Sequence, residues 1–568
     1  MQLPDYARVG ALAVALTSGC SKAPRDTPPA AHDDQPAATP PRTTLLGNLG
    51  AFHRAIKTEH KDAQLFFDEG LTLLYGFNHE ESFRSFARAA ALDSASPMPH
   101  WGMALALGTN INDIAPVERL KAAHGHLAYA LARAQHGSAV EQGLVAALAK
   151  RYVADPTGDQ LPREQAYSDA MGALAKRFPD DLDVATLYGE SLMNLRPWKL
   201  YKADGTPAPE TGTIVATLER VMARNPDHPG ANHYYVHAVE ASTHPERAAR
   251  AARRLETLVP GAGHLVHMPA HVYIRTGEYA RSASANATAA RVDETYFKAT
   301  GTSGLYAMIY YGHNLQFESA AAMYAGNFAE ARSAALRTVK VSEPVADQMV
   351  MLEPFVAMEL FALVRFEQWE EVLRAPAPAA TRTLHAVLYH WARGAALAGA
   401  GQADSAAAEL RRLADGVPRI PKDAMVGPAN SAVDVALVAQ ADLSARVAEA
   451  RGDLAGAATG FIAAVAAEDR LGYNEPPDWL LPEREMLGRV QLRSGSAAQA
   501  EISFRQDLRR NVGNPRSLYG LWQSLVAQKK PATDAKARFE KAWASADVPL
   551  PWPAPAPAPL AQPRPAVR

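Results

Sequence analysis

The 568-residue sequence predicts an all-α protein made of short helices that pack in consecutive pairs. Three observations support this prediction. Alanine dominates the apolar residues, and alanine favours helices that approach one another closely. Glycine followed by a polar residue recurs at turn-like positions between helical stretches. No segment shows the sustained alternation of apolar and polar residues that a β-strand would need.

The recurring turns divide the chain into repeats of about 34 residues, some of which carry insertions. In each repeat a glycine ends one helix, a polar residue begins the next, and a small residue lets the two helices pack. The turn glycines are Gly277, Gly326, Gly401, Gly452 and Gly495. The proline-rich stretch 197–212 is an obvious insertion. Because one pair cannot bury its apolar face alone, we expect about ten to twelve pairs stacked into a right-handed superhelical solenoid with a concave groove.

The N-terminus is predicted to direct export. The apolar run 9–16 is too short to span a bilayer but suits the core of a secretory signal peptide. Small residues follow it and end at Cys20, the only cysteine, as at a bacterial lipoprotein cleavage site. We therefore expect a signal peptide at 1–20 and a periplasmic protein held to a membrane by a lipid on Cys20. The alternative is an ordinary signal peptide in which Cys20 has no role.

The remaining boundaries follow from composition. Residues 21–45 are rich in proline, alanine and threonine, which predicts a disordered tether that cannot bury a core. Residues 46–546 are predicted to form the helical solenoid. Residues 547–568 repeat proline and alanine and are predicted to be a disordered tail.

Several function classes are excluded by composition and missing motifs. A net charge of -2 gives no basic surface for nucleic acid, so no nucleic-acid partner is expected. A single cysteine excludes a disulfide framework and a thiolate zinc site. The glycine motifs of nucleotide-binding loops and the serine elbow of hydrolases are missing.

The strongest functional signal is a concentration of histidine. Seven of the 18 histidines lie in the 44 residues from His228 to His271. In this segment His233, His237 and Glu240 are spaced by four and three residues, which places them on one face of a helix.

A second set of histidines repeats this spacing one repeat later. The set consists of His264, His267 and His271, spaced by three and four residues. His267 follows His233 by 34 residues, and His271 follows His237 by the same interval. Equivalent positions on adjacent first helices therefore carry the same residue. Pro269 interrupts this helix or marks its first turn.

Five short stretches make the chain similar to a known group of proteins. They are LYGFNHE at 74–80, PHWG at 99–102, NHYYVH at 232–237, GHLVHMPAH at 263–271 and YNEPPDW at 473–479. On these stretches and the repeats, residues 65–546 resemble bacterial exported tetratricopeptide-repeat proteins. The resemblance implies the solenoid fold and export, and it implies no particular activity. It also implies that inward positions of the first helices contact ligand.

Counting back from the turn glycines aligns these inward positions across four repeats. The repeat before the histidines contributes Glu190, Thr186 and Asp183, and the repeat after them contributes His313 and Gln316. Three rows are predicted: Glu190 with His237 and His271; His233 with His267 and Gln316; and Asp183 with His264 and His313. Adjacent helices lie about 8–10 Å apart, so imidazoles from two of them can reach one ion.

This constellation predicts a transition-metal site, with Zn, Cu or Fe as the candidate ions. The predicted ligands are His233, His237, His264, His267, His271 and His313. If one coordination position stays open, a bound water becomes acidic, and Glu240 or Glu190 is the candidate catalytic base. The chain would then be a metalloenzyme.

The alternative is a metal-independent scaffold at the cell envelope. Histidines at helical spacing also cap helices, bridge repeats or bind anions. In this interpretation the groove, lined by Asp183, Thr186, Gln316 and the histidines, holds a protein, a peptide or a small ligand.

Overall fold

The computed structural model describes residues 44–202, 204–302, 304, 306–550 and 552. The predicted signal peptide with Cys20, the tether up to residue 43 and the tail beyond residue 552 lie outside these residues. Export and lipidation therefore stay predictions. Among the described residues, no helix combines the length and the apolar character that crossing a membrane requires.

The all-α, helical-hairpin fold class is confirmed, and the chain divides into two compact units. The first unit contains the described residues up to Pro197 together with Ala216–Ala231. Its helices are α1 Lys61–Tyr75, α2 His79–Leu92, α3 Met98–Ala106, α4 Val117–Arg133, α5 Ala139–Leu148, α6 Leu161–Arg177 and α7 Leu182–Met193. Two helices contribute residues to both units: α8 Thr211–Arg224 and α9 Pro229–Glu240.

The second unit contains Trp198–Val215 and the described residues from Asn232 onward. Its first helices are α10 Ala249–Leu258, α11 Gly263–His267, α12 Pro269–Thr276, α13 Tyr279–Thr300, α14 Gly312–Ala325, α15 Phe328–Ser342, α16 Glu353–Val356, α17 Met358–Arg365 and α18 Trp369–Arg374. The later ones are α19 Thr383–Gly399, α20 Ala403–Gly416, α21 Ala432–Ala450, α22 Leu454–Glu468, α23 Glu483–Arg493, α24 Ala497–Arg510, α25 Pro515–Ala527 and α26 Thr533–Ala542. In the described chain the strands are limited to a two-residue pair, β1 Met425–Val426 and β2 Asn430–Ser431.

The turns between paired helices have the geometry that their glycines predicted. All five predicted turn glycines adopt a positive φ between 74° and 84°. This left-handed conformation ends the first helix of each pair, because a glycine has no Cβ to oppose it. The local sequence therefore fixes where these five hairpins turn.

Two of these glycines provide a matched test of the fold. A Cβ on Gly277 would lie 2.4 Å from the carbonyl oxygen of Val512, whereas a Cβ on Gly452 would meet no atom within 4 Å. Gly452→Ala is expected to lower the free energy of unfolding by about 1 kcal/mol, the cost of a left-handed alanine. Gly277→Ala is expected to cost roughly 2–4 kcal/mol, because the backbone must also move. Urea denaturation followed by circular dichroism checks this, and equal midpoints for the two variants would contradict it.

Close packing between helices depends on small residues placed around large ones. In the first unit the Phe86 ring lies where a Cβ on Gly70 or Gly102 would approach it to 2.7 Å. In the second unit a Cβ on Gly488 or Gly520 would likewise clash with the Phe504 ring, at 2.7 and 2.1 Å. In both places a phenylalanine of a second helix fits between glycines of the first helices on either side. The recurring pattern is that of a repeat fold.

The C-terminal part of the second unit packs against its middle. Tyr279 Oη donates to the carbonyl oxygen of Val512 at 2.9 Å. The carboxylate of Asp547 accepts from the backbone N–H groups of Phe328 and Ala329, at 2.6 and 2.8 Å. Trp552 is only 7% exposed. Packed residues therefore continue past position 546, where the sequence predicted the folded body to end.

Candidate metal centre

Six histidines form a buried group in the second unit, which we call the histidine cluster. Its members are His233, His237, His264, His267, His271 and His313. The first five are at most 5% exposed, and His313 is partly exposed. They are the six residues that the sequence predicted as metal ligands.

Three neighbouring segments deliver these side chains. His233 and His237 lie one turn apart on α9. His264 and His267 lie on the short helix α11, and Pro269 begins α12, where a proline is tolerated because the first helical N–H needs no partner. His271 follows in the first turn of α12. His313 lies at the start of α14.

The start of α11 is fixed by a buried carboxyl group. A Cβ on Gly263 would lie 1.9 Å from Oδ1 of Asp293, so only glycine fits there. The hydroxyl of Tyr306 donates to the same oxygen at 3.1 Å and accepts the backbone N–H of His264 at 3.3 Å. These contacts hold His264 in position.

The imidazole rings meet through their Nε2 atoms. Nε2 of His233 lies 3.1 Å from Nε2 of His264, and Nε2 of His267 lies 2.7 Å from Nε2 of His271. The ring of His313 lies 4.8 Å from that of His267, centroid to centroid. The predicted rows had placed His233 beside His267. In the structure His264, from a different predicted row, lies against His233.

Three groups of ligand atoms lie close enough to share a metal ion. Within each group the ligand atoms are within 4.8 Å of one another. The groups are His233 with His237 and His264, His267 with His271 and His313, and His237 with Glu240 and His271.

Carboxylate and amide oxygens face the Nδ1 atoms of the cluster. Nδ1 of His237 lies 2.8 Å from Oε1 of Glu240, and Nδ1 of His271 lies 2.6 Å from Oε2 of the same carboxylate. Nδ1 of His271 is also 2.9 Å from Oε2 of Glu475. Nδ1 of His267 lies 2.5 Å from Oδ1 of Asn286. An acceptor at Nδ1 fixes the ring tautomer and leaves Nε2 to bind a metal.

The electrostatics keep three members of the cluster neutral. Burial lowers the pKa of His264 and His267 well below the usual value, and the neighbouring histidines lower it further. Burial also lowers the pKa of His313 to about 3. His271 differs, because Glu240 and Glu475 outweigh its burial and raise its pKa to about 10. Neutral imidazole is the form that binds metal ions.

Glu475 reaches the cluster on the loop that follows α22. Asp478 anchors this loop, since it accepts from Asn430 at 2.6 Å and from Asn474 at 2.8 Å. Trp479 is 2% exposed and packs on Trp391 with the ring centroids 4.9 Å apart. Residues 473–479 are one of the five stretches that carry the family resemblance, but the sequence did not identify Glu475 as a site residue. No feature of the sequence predicted that Asn286, which lies on α13, would contact the cluster.

Gln316, a predicted groove residue, lies one turn after His313 on α14 and hydrogen-bonds its side chain. Three other predicted residues belong to the first unit: Asp183, Thr186 and Glu190. Asp183 accepts from Arg54 at 2.8 Å and from Tyr75 at 2.6 Å. Arg54 keeps the pKa of Asp183 well below its usual range, although burial acts in the opposite direction.

Thr186 and Glu190 also have polar contacts inside the first unit. The hydroxyl of Thr186 lies 3.3 Å from Nε2 of His228. Glu190 accepts from Asn194 at 2.5 Å, and burial raises the pKa of Glu190 to about 7.

Comparison with known proteins does not assign the chain to a family. No protein-family model and no curated protein matches the chain. Several solved structures are similar to the chain. One is a human IFIT1 dimer with m7Gppp-AAAA, which is 12% identical in sequence and has a TM-score of 0.29. That match covers 86% of this chain and 91% of the IFIT1 chain. Yeast Tom70 has 11% identity, 86% and 99% coverage, and a TM-score of 0.30. The TPR domain of P58(IPK) has 12% identity, 79% and 100% coverage, and a TM-score of 0.19. These similarities do not bear on the function of the chain.

Proposed function

We propose that this protein is a metalloenzyme that binds a transition-metal ion through the histidine cluster and uses that ion in catalysis. One observation supports the proposal above all others. Buried imidazole nitrogens face one another in pairs at 2.7 and 3.1 Å, and a carboxylate or amide oxygen lies within 2.8 Å of the Nδ1 atom of three of the rings. Two nitrogens bound to one ion at about 2.0–2.1 Å each are about 3.4 Å apart in tetrahedral geometry.

The donor set narrows the choice of ion. Imidazole nitrogens suit zinc, copper and iron, and the described cluster contains no thiolate that would favour an iron–sulfur group. A bound ion of this kind supplies Lewis acidity and lowers the pKa of a coordinated water. His313 is the partly exposed member of the cluster, so the side of the site near His313 is where a small substrate would enter.

The protein residues around the ligands have separate tasks. Glu240 and Asn286 hold Nδ1 of His237 and of His267, which directs Nε2 of both rings inward. Both oxygens of Glu240 face imidazoles, so we assign Glu240 an orienting role instead of the role of a base. Glu190 lies in the first unit, where it accepts a hydrogen bond from Asn194, and we assign it no role in catalysis.

The metal content of the native protein tests this function. Protein purified without a histidine tag is expected to carry transition metal at a near-stoichiometric level, measured by elemental analysis. His237→Ala and His271→Ala are each expected to carry less metal than the wild-type protein, since each removes one buried ligand. His136→Ala is the matched control, because His136 is exposed and lies outside the cluster. Metal-free wild-type protein that also fails to take up Zn²⁺ or Cu²⁺ would contradict the proposal.

The scaffold interpretation makes the opposite prediction for the same variants. If the cluster serves a metal-independent scaffold, the substitutions reduce capture of a protein or peptide partner and leave the metal content at zero. A pull-down with the wild-type protein and the two variants, run beside the metal analysis, therefore separates the two functions.

A further inference from the structure

We propose that the histidine cluster is a dinuclear centre that holds two transition-metal ions, each on its own set of three histidines. This inference rests on the proposed metal-binding function. The first set is His233, His237 and His264, and the second set is His267, His271 and His313. The two sets have no residue in common.

Each set already has two nitrogens that face each other at close range. The Nε2 atoms of His233 and His264 are 3.1 Å apart in the first set. The Nε2 atoms of His267 and His271 are 2.7 Å apart in the second set. Nitrogens on one tetrahedral ion are about 3.4 Å apart, so the first pair must open by about 0.3 Å and the second by about 0.7 Å to bind an ion. The third histidine of each set then completes a three-imidazole site with an open position.

One ion does not account for all six histidines. Zinc takes four ligands in most protein sites, and a catalytic zinc takes three from the protein. A single ion in either set would leave three buried imidazoles with no metal to bind.

The placement of Glu240 also indicates two ions. Its carboxylate lies between the sets, with Oε1 at 2.8 Å from Nδ1 of His237 and Oε2 at 2.6 Å from Nδ1 of His271. It therefore orients one ligand of each set at the same time. Two divalent ions in a buried site also need negative charge nearby, and the carboxylates of Glu240 and Glu475 supply it.

The competing arrangement uses Glu240 as a direct ligand. In that arrangement one ion binds His237, Glu240 and His271, whose ligand atoms also lie within 4.8 Å of one another. That ion would have to displace the contacts between Nδ1 of both histidines and the carboxylate. It would also make no use of the facing Nε2 atoms. The geometry favours the two sets of three imidazoles.

The chemistry of the sets identifies the ions. Three imidazoles with no thiolate favour late first-row divalent ions, and affinity rises along the series to copper. Cu²⁺ and Zn²⁺ are therefore the ions expected in both positions. Two adjacent ions would bind a small oxygen-containing ligand between their open positions.

Metal stoichiometry decides the question. Tag-free wild-type protein is stripped of metal, loaded with Zn²⁺ or Cu²⁺, desalted, and weighed by native mass spectrometry. Two ions per chain are expected. One ion per chain would overturn the dinuclear proposal and leave the proposed metal-binding function standing. No bound ion would overturn both.

Variants assign the two positions. His233→Asn is expected to leave one ion per chain, held by the second set, and His313→Asn is expected to leave one ion held by the first set. The double variant is expected to bind none, and His136→Asn is expected to bind two. Loss of both ions from either single variant would overturn the assignment, provided that circular dichroism of the metal-free variant matches wild type. Should a variant fail to fold, the wild-type stoichiometry still decides between one ion and two.

Discussion

Replacing Glu240 by Gln is expected to weaken transition-metal binding by about 10- to 100-fold, the usual effect of losing an outer-shell partner of a metal-bound histidine. The carboxylate of Glu240 faces Nδ1 of both His237 and His271. An amide of the same shape keeps only one oxygen, so one of the two rings loses the acceptor that fixes its tautomer. Competition with a chromogenic chelator for Zn²⁺ measures the change in affinity.

Glu246 provides the control for this experiment. It pairs with His244 at 3.1 Å, but both side chains are exposed, so Glu246→Gln repeats the chemical change away from the cluster. Metal affinity is expected to be unchanged in that variant. Wild-type affinity in the Glu240→Gln protein would show that the carboxylate has no part in the site. A complete loss of one ion would instead identify Glu240 as a ligand.

Replacing Trp479 by Ala is expected to destabilise the second unit by about 3–5 kcal/mol, the range for removing a buried tryptophan. Trp479 is 2% exposed and packs against Trp391 and Phe361, with ring centroids 4.9 and 5.4 Å away. Its indole N–H also donates to Glu483 at 2.7 Å. Urea denaturation followed by far-ultraviolet circular dichroism is the measurement.

Trp522→Ala is the matched control for this change. Trp522 is partly exposed and packs on Tyr519 and Phe539, so its removal leaves a smaller cavity. The urea concentration at the unfolding midpoint is expected to fall less in Trp522→Ala than in Trp479→Ala. The Trp479 variant is also expected to bind metal more weakly, because its loop carries Glu475 to His271. Equal midpoints for the two tryptophan variants would count against the core position assigned to Trp479.

The fold could be predicted because five of the hairpins carry a glycine signal in their own turns. A glycine that must adopt a left-handed backbone, such as Gly452 or Gly495, is visible in the sequence and marks a turn without any tertiary information. The repeat period then aligns equivalent positions. That alignment placed His237 beside His271, whose ring centroids are 5.5 Å apart.

The site could be predicted only where it follows the repeat. Glu475 lies 204 residues after His271 and approaches it on an irregular loop, so no period relates the two. Asn286 contacts His267 from the second helix of the hairpin, a position that the count from the turns did not cover. His264 faces His233 from a different predicted row, because the angle between two helices cannot be calculated from spacing.

The carboxylate of Asp547 caps the start of α15 from 219 residues away in sequence. In an open array of repeats the last units can fray one after another without disturbing the rest. Here, unravelling from the C-terminal end must first remove a negative charge from the helix start at Phe328, where it is favourable. Loss of the final residues is therefore coupled to the loosening of a hairpin near the middle of the chain. A tag or truncation placed close to Asp547 would disturb α15 as well as the terminus.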